Sequence, residues 1–270
     1  MKKALLVGIN SYSAAPLKGC VNDITDVAAF LTSSCGFSMD EIRLLADGRA
    51  TTDALNERLN WLVDGAAPGD SIFFHYSGHG TQMATRDHQG EIDGLDEVIC
   101  PVDFDWTDPH VIRDKDFHRI FSAIPEGCNF IWISDSCHSQ DLTRDLIPDT
   151  LPRSYPVPAD ILWGIEAARS LDLKPMGLSL SLATTLDLNL AMVSGCKSNQ
   201  TSADSVFNGK FRGALTNFLL EVLSEVGFRD SSLDMLIEEV KDRLSKTKKF
   251  TQIPGVEGSP AVIKQPFFKS

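Results

Sequence analysis

The chain has 270 residues, with 25 Lys and Arg against 37 Asp and Glu, and a formal net charge of −12 at pH 7. Its hydrophobic fraction of 43% is enough for a substantial packed core, so the composition is not that of a disordered chain. The acidity argues against a nucleic-acid binder, because neutralising phosphates needs an excess of Lys and Arg. An acidic protein instead favours cationic partners, either basic polypeptides or metal ions.

The cysteines and the N-terminus indicate a cytoplasmic protein without disulfides. Six cysteines are scattered along the chain and include no C-x-x-C pair for zinc or dithiol chemistry. The first residues contain too short an apolar stretch for a signal peptide, and no segment approaches the roughly 18 to 20 apolar residues of a membrane span. We therefore expect free thiols, a reducing compartment and no contact with a membrane.

In the first half of the chain, short apolar runs alternate with longer amphipathic ones. Strands are predicted at 3–9, 41–46, 71–76 and 129–134. Helices are predicted at 22–35, 52–66 and 114–124, with Asn22 or Asp23 as the cap of the first. This alternation is typical of a mainly parallel sheet with helices on both faces.

The second half begins with a long interruption of this pattern. From about 140 to 187, five prolines intervene and no helix or strand period continues for long. Order returns with a strand at 188–194, helices at 211–226 and 231–245, and a candidate edge strand at Pro260–Ile263. We predict one domain over 1–270, made of a large part (about 1–145), a connecting segment (about 146–187) and a small part (about 188–270).

A histidine and a cysteine follow two of the predicted strands. His79 comes just after the strand at 71–76, and Cys137 just after the strand at 129–134. In parallel α/β sheets ligands bind beyond the carboxyl ends of the strands, so neighbouring strands would bring thiol and imidazole into one crevice. Nucleophilic cysteine catalysis requires this pairing. Glycines flank His79, and the N–H groups of Gly80 and Cys137 are candidates for stabilising an oxyanion.

The blocks around these residues resemble the two signature blocks of metacaspases and their bacterial relatives, in the caspase clan. They read HYSGHG at 75–80 and DSCHS at 135–139. Further matching blocks are GIN at 8–10, GCVND at 19–23, DEVI at 96–99, PVD at 101–103, SGC at 194–196 and QTSAD at 200–204. The resemblance covers most of the chain. It implies a caspase-like three-layer α/β sandwich, with a mostly parallel six-stranded sheet and helices on both faces, and a monomer.

The resemblance also implies an activity, that of a cysteine endopeptidase cleaving polypeptides after Arg or Lys through the same Cys–His dyad. It assigns Asp23 and Asp135 to the primary specificity pocket, with Cys20 and Ser77 on its wall. A pocket with carboxylates at its floor pairs with a guanidinium or ammonium group and repels an aspartate side chain. The expected substrate is therefore a basic polypeptide.

Self-cleavage and regulation are expected in the connecting region. Exposed, flexible segments are where nicking concentrates. The basic residues available for self-cleavage there are Arg144, Arg153, Arg169 and Lys174. Nothing in the sequence resembles a fused sensor, so we expect activation either by a separate regulatory protein or by release from one.

The calcium site of the family is matched only in part. Asp96 and Asp114 correspond to positions of the metacaspase calcium cluster, but Lys115 stands where a second consecutive aspartate is usual. Arg144 stands near the position of another expected aspartate. A cation opposes a divalent ion, and calcium takes six to eight oxygen ligands. We therefore predict that no cofactor is required and that calcium dependence is weak or absent.

Two other functions remain open from the sequence. One is a catalytically silent caspase-like module that binds a basic peptide or partner without cutting it. The other is a cysteine hydrolase of non-peptide amides or esters. The remaining candidate residues have structural interpretations: His75 as a packed core residue, His138 as structural, and the acidic residues between Asp87 and Glu97 as a solvated loop.

Overall fold

The fold is taken from a computed structural model, described over residues 1–84, 95–137, 149–170, 188–197, 200–228, 230–247 and 249–268. The strands are β1 (Lys2–Gly8), β2 (Ile42–Ala46), β3 (Ser71–Ser77), β4 (Gly80–Ala84), β5 (Leu95–Ile99), β6 (Ile112–Arg113), β7 (Asn129–Asp135), β8 (Thr150–Pro152), β9 (Ala191–Ser194), β10 (Ala203–Phe207), β11 (Lys210–Gly213) and β12 (Gly255–Gly258). The helices are α1 (Cys20–Ser34), α2 (Thr52–Val63), α3 (Asp114–Phe121), α4 (Ala159–Ser170), α5 (Ala214–Ser224), α6 (Leu233–Thr247) and α7 (Pro260–Ile263).

The main sheet has six strands in the order β12-β9-β7-β3-β1-β2. Every neighbouring pair from β9 to β2 is parallel, and β12 pairs antiparallel with β9. The predicted mostly parallel six-stranded sheet is therefore confirmed. Its strands come from both sides of the connecting segment.

The sheet is buried on both faces. Along β1, Leu5 and Val7 belong to one hydrophobic cluster, whereas Leu6 belongs to the other. Residues of α2 and α3 complete the first cluster, and residues of α1, α5 and α6 complete the second. Successive strand residues point to opposite faces, so strands covered on both faces need continuous apolar runs. This burial explains why these strands could be predicted from their apolar runs in the sequence.

Two small antiparallel sheets lie outside this main sheet. One has the order β4-β5-β6, and the other has the order β11-β10-β8. In the second, β8 belongs to the connecting segment and pairs with β10 of the small part. This pairing fixes the chain immediately before Arg153.

Three local predictions were wrong. The segment Pro260–Ile263 is a short helix rather than an edge strand, with its proline in the first turn, where no N–H is needed. The connecting segment contains β8 and α4 instead of lacking regular structure. Helix α1 begins at Cys20 after Gly19 and has no side-chain cap, so neither Asn22 nor Asp23 caps it.

The six cysteines are all free thiols in the structure. Over the described ranges, no helix combines the length and apolar character needed to cross a membrane. The predicted core position of His75 agrees with its complete burial in β3, where its Nε2 lies 3.1 Å from the Thr216 hydroxyl. Burial lowers the pKa of His75 to about 4.

This buried histidine makes stability depend on pH. Between about pH 6.5 and pH 4 the unfolded chain binds the His75 proton and the folded chain does not, so acidification in that range lowers the free energy of unfolding. The full difference corresponds to about 3 kcal/mol. The test compares the Cys137→Ala chain with the same chain carrying His75→Gln, by urea unfolding at a series of pH values. On acidification, the free energy of unfolding should fall less in the chain with His75→Gln. Equal losses in the two proteins would contradict the assignment.

Candidate active site

The carboxyl ends of three neighbouring strands form the floor of a crevice. The register aligns Gly8 of β1 with Ser77 of β3, and Ser77 with Asp135 of β7. A Cβ on Gly8 would lie 2.5 Å from the carbonyl oxygen of Cys20, so only glycine allows β1 and the start of α1 to approach this closely. The polar residues that follow the apolar strands therefore meet at one edge of the sheet.

The crevice contains the side chain of Arg153, which is 0% exposed. Its Nη1 donates to the Ser77 hydroxyl at 2.8 Å and to the Asp135 carbonyl at 3.0 Å, and lies 3.3 Å from Asp135 Oδ1. Its Nη2 lies 2.7 Å from Asp23 Oδ2 and 3.3 Å from Asp204 Oδ1. One planar guanidinium group is thus bound by three carboxylates and a hydroxyl, an arrangement that suits its forked donors.

The three carboxylates are themselves held by other donors. Asp23 accepts from the Ser77 hydroxyl and the Gly213 N–H. Asp135 accepts from the N–H and hydroxyl of Thr216 and from the Ser202 hydroxyl. Asp204 accepts from the N–H groups of Lys18 and Gly19. A Cβ on Gly213 would lie 2.2 Å from Asp135 Oδ2 and 2.4 Å from Arg153 Nη1. The pocket is therefore preorganised around the guanidinium, and its wall requires a glycine.

The buried carboxylates of the pocket need a positively charged partner. Burial raises the pKa of Asp23 to about 7, an effect that Arg153 opposes and Asp135 reinforces. Burial also disfavours the charge on Arg153, but Asp135, Asp23 and Asp204 hold the pKa of its guanidinium well above the ordinary value. Arg153 is therefore charged. Without it, three buried carboxylates would face one another with no counter-charge.

The backbone of Arg153 is held as firmly as its side chain. Its carbonyl oxygen accepts hydrogen bonds from the N–H groups of Gly80 and Cys137, both at 3.2 Å. Its own N–H donates to the Ser202 carbonyl at 3.0 Å. Two amides aimed at one carbonyl oxygen are the geometry of an oxyanion hole.

His79 is fixed by hydrogen bonds on its backbone and its ring. Its N–H donates to the Tyr12 hydroxyl at 3.0 Å, and its carbonyl accepts from the Tyr76 hydroxyl at 2.6 Å. The ring Nε2 lies 2.7 Å from the Ala15 carbonyl, which can only accept, so Nε2 carries the proton and Nδ1 the lone pair. Nδ1 is buried and makes no hydrogen bond within the described residues. Burial lowers the pKa of His79 to about 4, so the ring is neutral at pH 7.

The thiol of Cys137 is buried at the end of β7. It donates to the carbonyl of Gln200 at 2.5 Å, and the Cys196 thiol approaches the same oxygen at 3.3 Å. Cys20 is also buried, on the pocket side of α1, where its thiol lies beside Ser77. Burial raises the pKa of the Cys20 thiol well above its usual range, so Cys20 is a wall residue without a nucleophilic thiolate.

Of the two calcium candidates, Asp96 is engaged with cations instead. Asp96 forms ion pairs with Arg113 at 2.5 Å and with Lys115 at 2.9 Å, and Arg113 also pairs with Asp108. The carboxylate of Asp114 accepts the N–H of Lys115 at 2.8 Å. Within the described ranges, no group of three or more His, Cys, Asp or Glu residues could hold a metal ion. These residues do not fit a calcium site.

The structure brings most of the predicted site residues together around Arg153. Gly80, Cys137, Asp23, Ser77 and Asp135 all form hydrogen bonds with it. Residues 85–94 and 138–148 and Lys174 lie outside the described residues, so the structure does not place His138, Arg144 or the acidic residues before Leu95, and the side chain of Arg169 is not described either. Asp96 and Glu97, predicted to lie in a solvated loop, are instead buried in β5.

Sequence reasoning missed several residues of the site. They are Asp204 in the pocket, Tyr12, Ala15 and Tyr76 around His79, and Gly213 in the wall. Asp204 lies in the QTSAD block, so the resemblance pointed to its region without giving its role. Ala15 has a φ of +51°, in the left-handed region that an alanine rarely adopts, and no local sequence pattern predicts this.

Comparisons with known proteins agree with the fold and identify a family. The sequence profile of the family described as "Metacaspase, peptidase C14 domain" matches residues 2–146. Metacaspase-1 of Candida glabrata is 31% identical over 96% of this chain and 72% of the relative, and Metacaspase-1 of Kluyveromyces lactis is 34% identical over 94% of this chain and 65% of the relative. The crystal structure of protein GSU0716 from Geobacter sulfurreducens superposes with a TM-score of 0.70 at 25% identity, covering 99% of this chain and 98% of that one.

The family profile spans more than half of the chain, and the curated relatives align with nearly all of it. The residues that the fold gathers at the carboxyl edge of the sheet include Cys137 and His79, one from each signature block. The chain belongs to the metacaspase family of C14 cysteine endopeptidases.

Proposed function

We propose that this chain cleaves polypeptides after arginine, with Cys137 as nucleophile and His79 as proton acceptor, and that it cuts its own chain between Arg153 and Ser154. The pocket residues are Asp23, Asp135 and Asp204. Substrates supplied by other molecules are basic polypeptides that replace Arg153 in the crevice. Cys20 and Ser77 line the pocket beside these carboxylates.

A single observation carries this proposal. The guanidinium of Arg153 is bound by the pocket carboxylates while its carbonyl oxygen accepts from the N–H groups of Gly80 and Cys137. A side chain in a charge-selective pocket and a carbonyl between two amides together describe a residue presented for cleavage. The bond that follows this carbonyl joins Arg153 to Ser154.

The chemistry follows from these positions. The Cys137 thiol gives its proton to Nδ1 of His79, and the sulfur attacks the Arg153 carbonyl carbon. Negative charge develops on the carbonyl oxygen, where the Gly80 and Cys137 N–H groups already point. The carbon–nitrogen bond to Ser154 breaks as His79 returns its proton to the leaving amine. Water then hydrolyses the thioester, which releases the Arg153 carboxylate and the free thiol.

The thiol must turn before it reacts. In the structure it donates to the Gln200 carbonyl rather than to His79. The proposal therefore requires rotation about the Cα–Cβ bond of Cys137, which would take the thiol from the Gln200 carbonyl towards His79 before attack. The neutral His79 supports this role, because a base must be deprotonated to accept the proton.

The pocket geometry favours arginine over lysine. Both terminal nitrogens of Arg153 have their own acceptors, with Nη1 at Ser77 and Asp135 and Nη2 at Asp23 and Asp204. A lysine ammonium is a single point and cannot reach both sides of this fork at once. The resulting preference is about 10- to 100-fold in kcat/KM, the size of the loss of one or two charged hydrogen bonds.

We also propose that the chain works without calcium. Lys115 and Arg113 occupy the two sides of the Asp96 carboxylate, and Arg113 continues to Asp108. The positive charges that stabilise Asp96 are supplied by the chain itself, and a divalent cation placed there would be repelled by both of them.

Self-cleavage gives the first test. Mass spectrometry of the purified chain over time should show a new carboxyl terminus at Arg153 and a new amino terminus at Ser154. The Cys137→Ala and Arg153→Gln chains should stay intact at this bond, whereas Arg119→Gln, an exposed arginine on α3, should be cleaved like the parent. Cleavage only after Arg144, Arg169 or Lys174 would contradict the assignment of Arg153.

The third carboxylate gives the second test. Asp204→Asn keeps the size of the side chain but removes a charge next to Nη2, so kcat/KM for an arginyl peptide should fall by about 10- to 100-fold. Asp242→Asn, on an exposed face of α6, is the matched control and should leave turnover unchanged. Equal activity of Asp204→Asn and the parent would remove Asp204 from the pocket.

Calcium gives the third test. Activity on an arginyl peptide should differ by less than about twofold between a chelator and added calcium, because Asp96 is already ion-paired. Lys115→Asp removes one of the cations and adds oxygen ligands beside Asp96 and Asp114, so its thermal midpoint should rise on calcium addition. Loss of parental activity in chelator would overturn the proposal.

A further inference from the structure

The residue two positions after Arg153 is buried as completely as a core residue. Tyr155 is 6% exposed, although it belongs to the connecting segment. Its N–H donates to the carbonyl of Gly80 at 3.0 Å, directly beside the Gly80 N–H that points at Arg153. These two hydrogen bonds make Ser154 and Gly80 partners in a parallel β-bridge. The chain is therefore docked in the crevice on both sides of the Arg153–Ser154 bond.

The Tyr155 ring lies in an aromatic pocket. The centroid of its ring is 5.8 Å from Tyr12, 5.1 Å from Phe104 and 6.2 Å from Trp106, each in an edge-to-face arrangement. It is also 5.4 Å from the His79 ring, at a near-perpendicular angle. These separations and angles are those at which aromatic rings attract each other beyond the burial of their area.

The wall of this pocket includes a strained residue. Trp106 has a φ of +68°, in the left-handed region, which costs an L-residue with a bulky side chain about 1 kcal/mol or more. Its indole packs 5.0 Å from Phe104. The neighbouring turn is held by hydrogen bonds from the N–H and hydroxyl of Thr107 to Asp105. The fold thus maintains an unfavourable backbone conformation to keep the indole in this wall.

We propose that Tyr12, Phe104 and Trp106 form a substrate subsite that selects an aromatic side chain at the second position after the cleaved bond. This inference rests on the proposed function, because it requires Arg153 to be the residue before that bond. The preferred substrates are then polypeptides with an arginine, one further residue and an aromatic residue. The Ser13 hydroxyl, 3.4 Å from the Tyr155 hydroxyl, gives the subsite a polar rim that accepts tyrosine as well as phenylalanine.

The subsite also bears on the catalytic base. The Tyr12 ring lies 4.5 Å from the His79 ring on one side, and Tyr155 packs edge-on against the same imidazole. An aromatic residue at this position therefore completes the apolar surroundings of His79 and excludes water from it. A substrate with alanine there leaves that side of the imidazole open, so the loss is expected in turnover as well as in binding.

The test compares peptides that differ only at this position. They span residues 149–158 of this chain, with Tyr, Phe or Ala at the position of Tyr155. The enzyme is the full chain with Tyr155→Ala, so that its own connecting segment cannot fill the aromatic pocket. We expect kcat/KM for the Tyr and Phe peptides to exceed that for the Ala peptide by about tenfold, the value of one buried aromatic contact.

A second variant separates a subsite from a structural effect. In the Tyr155→Ala chain, the added substitution Trp106→Ala should reduce the ratio of kcat/KM for the Tyr peptide to kcat/KM for the Ala peptide to below about threefold. The added substitution Trp163→Ala, which replaces an exposed tryptophan of α4, should leave this ratio unchanged. A ratio that stays at about tenfold in the Trp106→Ala chain would assign Trp106 a purely structural role and overturn its place in the subsite.

An arginyl coumarin amide distinguishes failure of this inference from failure of the proposed function, because it has no residue after the arginine except the dye. If the coumarin amide is cleaved and kcat/KM differs by less than about twofold between the Tyr and Ala peptides, the proposed subsite is rejected and the proposed arginine specificity is retained. If neither the coumarin amide nor any peptide is cleaved, the proposed function fails and the subsite fails with it.

Discussion

The burial of one guanidinium among three carboxylates is the interaction on which the rest of this structure depends. Asp23 is supplied by α1, Asp135 by the end of β7 and Asp204 by β10, so Arg153 joins elements from both sides of the connecting segment. None of these groups is exposed to solvent. Removing one member of such a cluster leaves an uncompensated buried charge, which is among the most costly changes a protein interior can undergo.

The same interaction places the chain's own Arg153 in the pocket that the proposed function assigns to a substrate side chain. In the proposed function, a pocket that must hold a cation accepts a basic substrate and rejects an acidic one, whatever the charge of the protein surface. As long as the chain's own Arg153 fills the pocket, no other arginine can enter. In the proposed function, cutting the Arg153–Ser154 bond frees Arg153 from the chain that follows it, and the pocket then binds the arginine of another polypeptide.

A second hydrogen-bond network holds the backbone around His79 in place. The Tyr12 and Tyr76 hydroxyls lie 3.1 Å apart, and each lies within 3.0 Å of the Cys100 carbonyl oxygen. The Tyr12 hydroxyl accepts from the His79 N–H, and the Tyr76 hydroxyl lies 2.6 Å from the His79 carbonyl oxygen. A Cβ on Gly78 would lie 2.5 Å from the Tyr12 hydroxyl, so the glycine before His79 is required by this packing. Burial raises the pKa of both tyrosines well above the usual range, which keeps these hydroxyls protonated as donors.

The sequence by itself determined the parallel sheet, because strands buried on both faces must be apolar throughout, and it determined the edge at which His79 and Cys137 follow two of those strands. It also singled out Asp23 and Asp135, through a family resemblance, and the mismatch at Lys115. What it could not give were contacts between residues far apart in the chain. The pairing of β8 with β10, the entry of Arg153 into the crevice and the ion pairs of Asp96 all depend on such contacts.

The connecting segment shows why only the tertiary structure decided these points. Its prolines suppress any helix or strand period, so neither β8 nor α4 was predicted, and four basic residues appeared equally available for cleavage. Arg153 differs from Arg144 and Arg169 in no property of its own. It is distinguished by the pocket that surrounds it, and that pocket exists only when α1, β7 and β10 have already packed together.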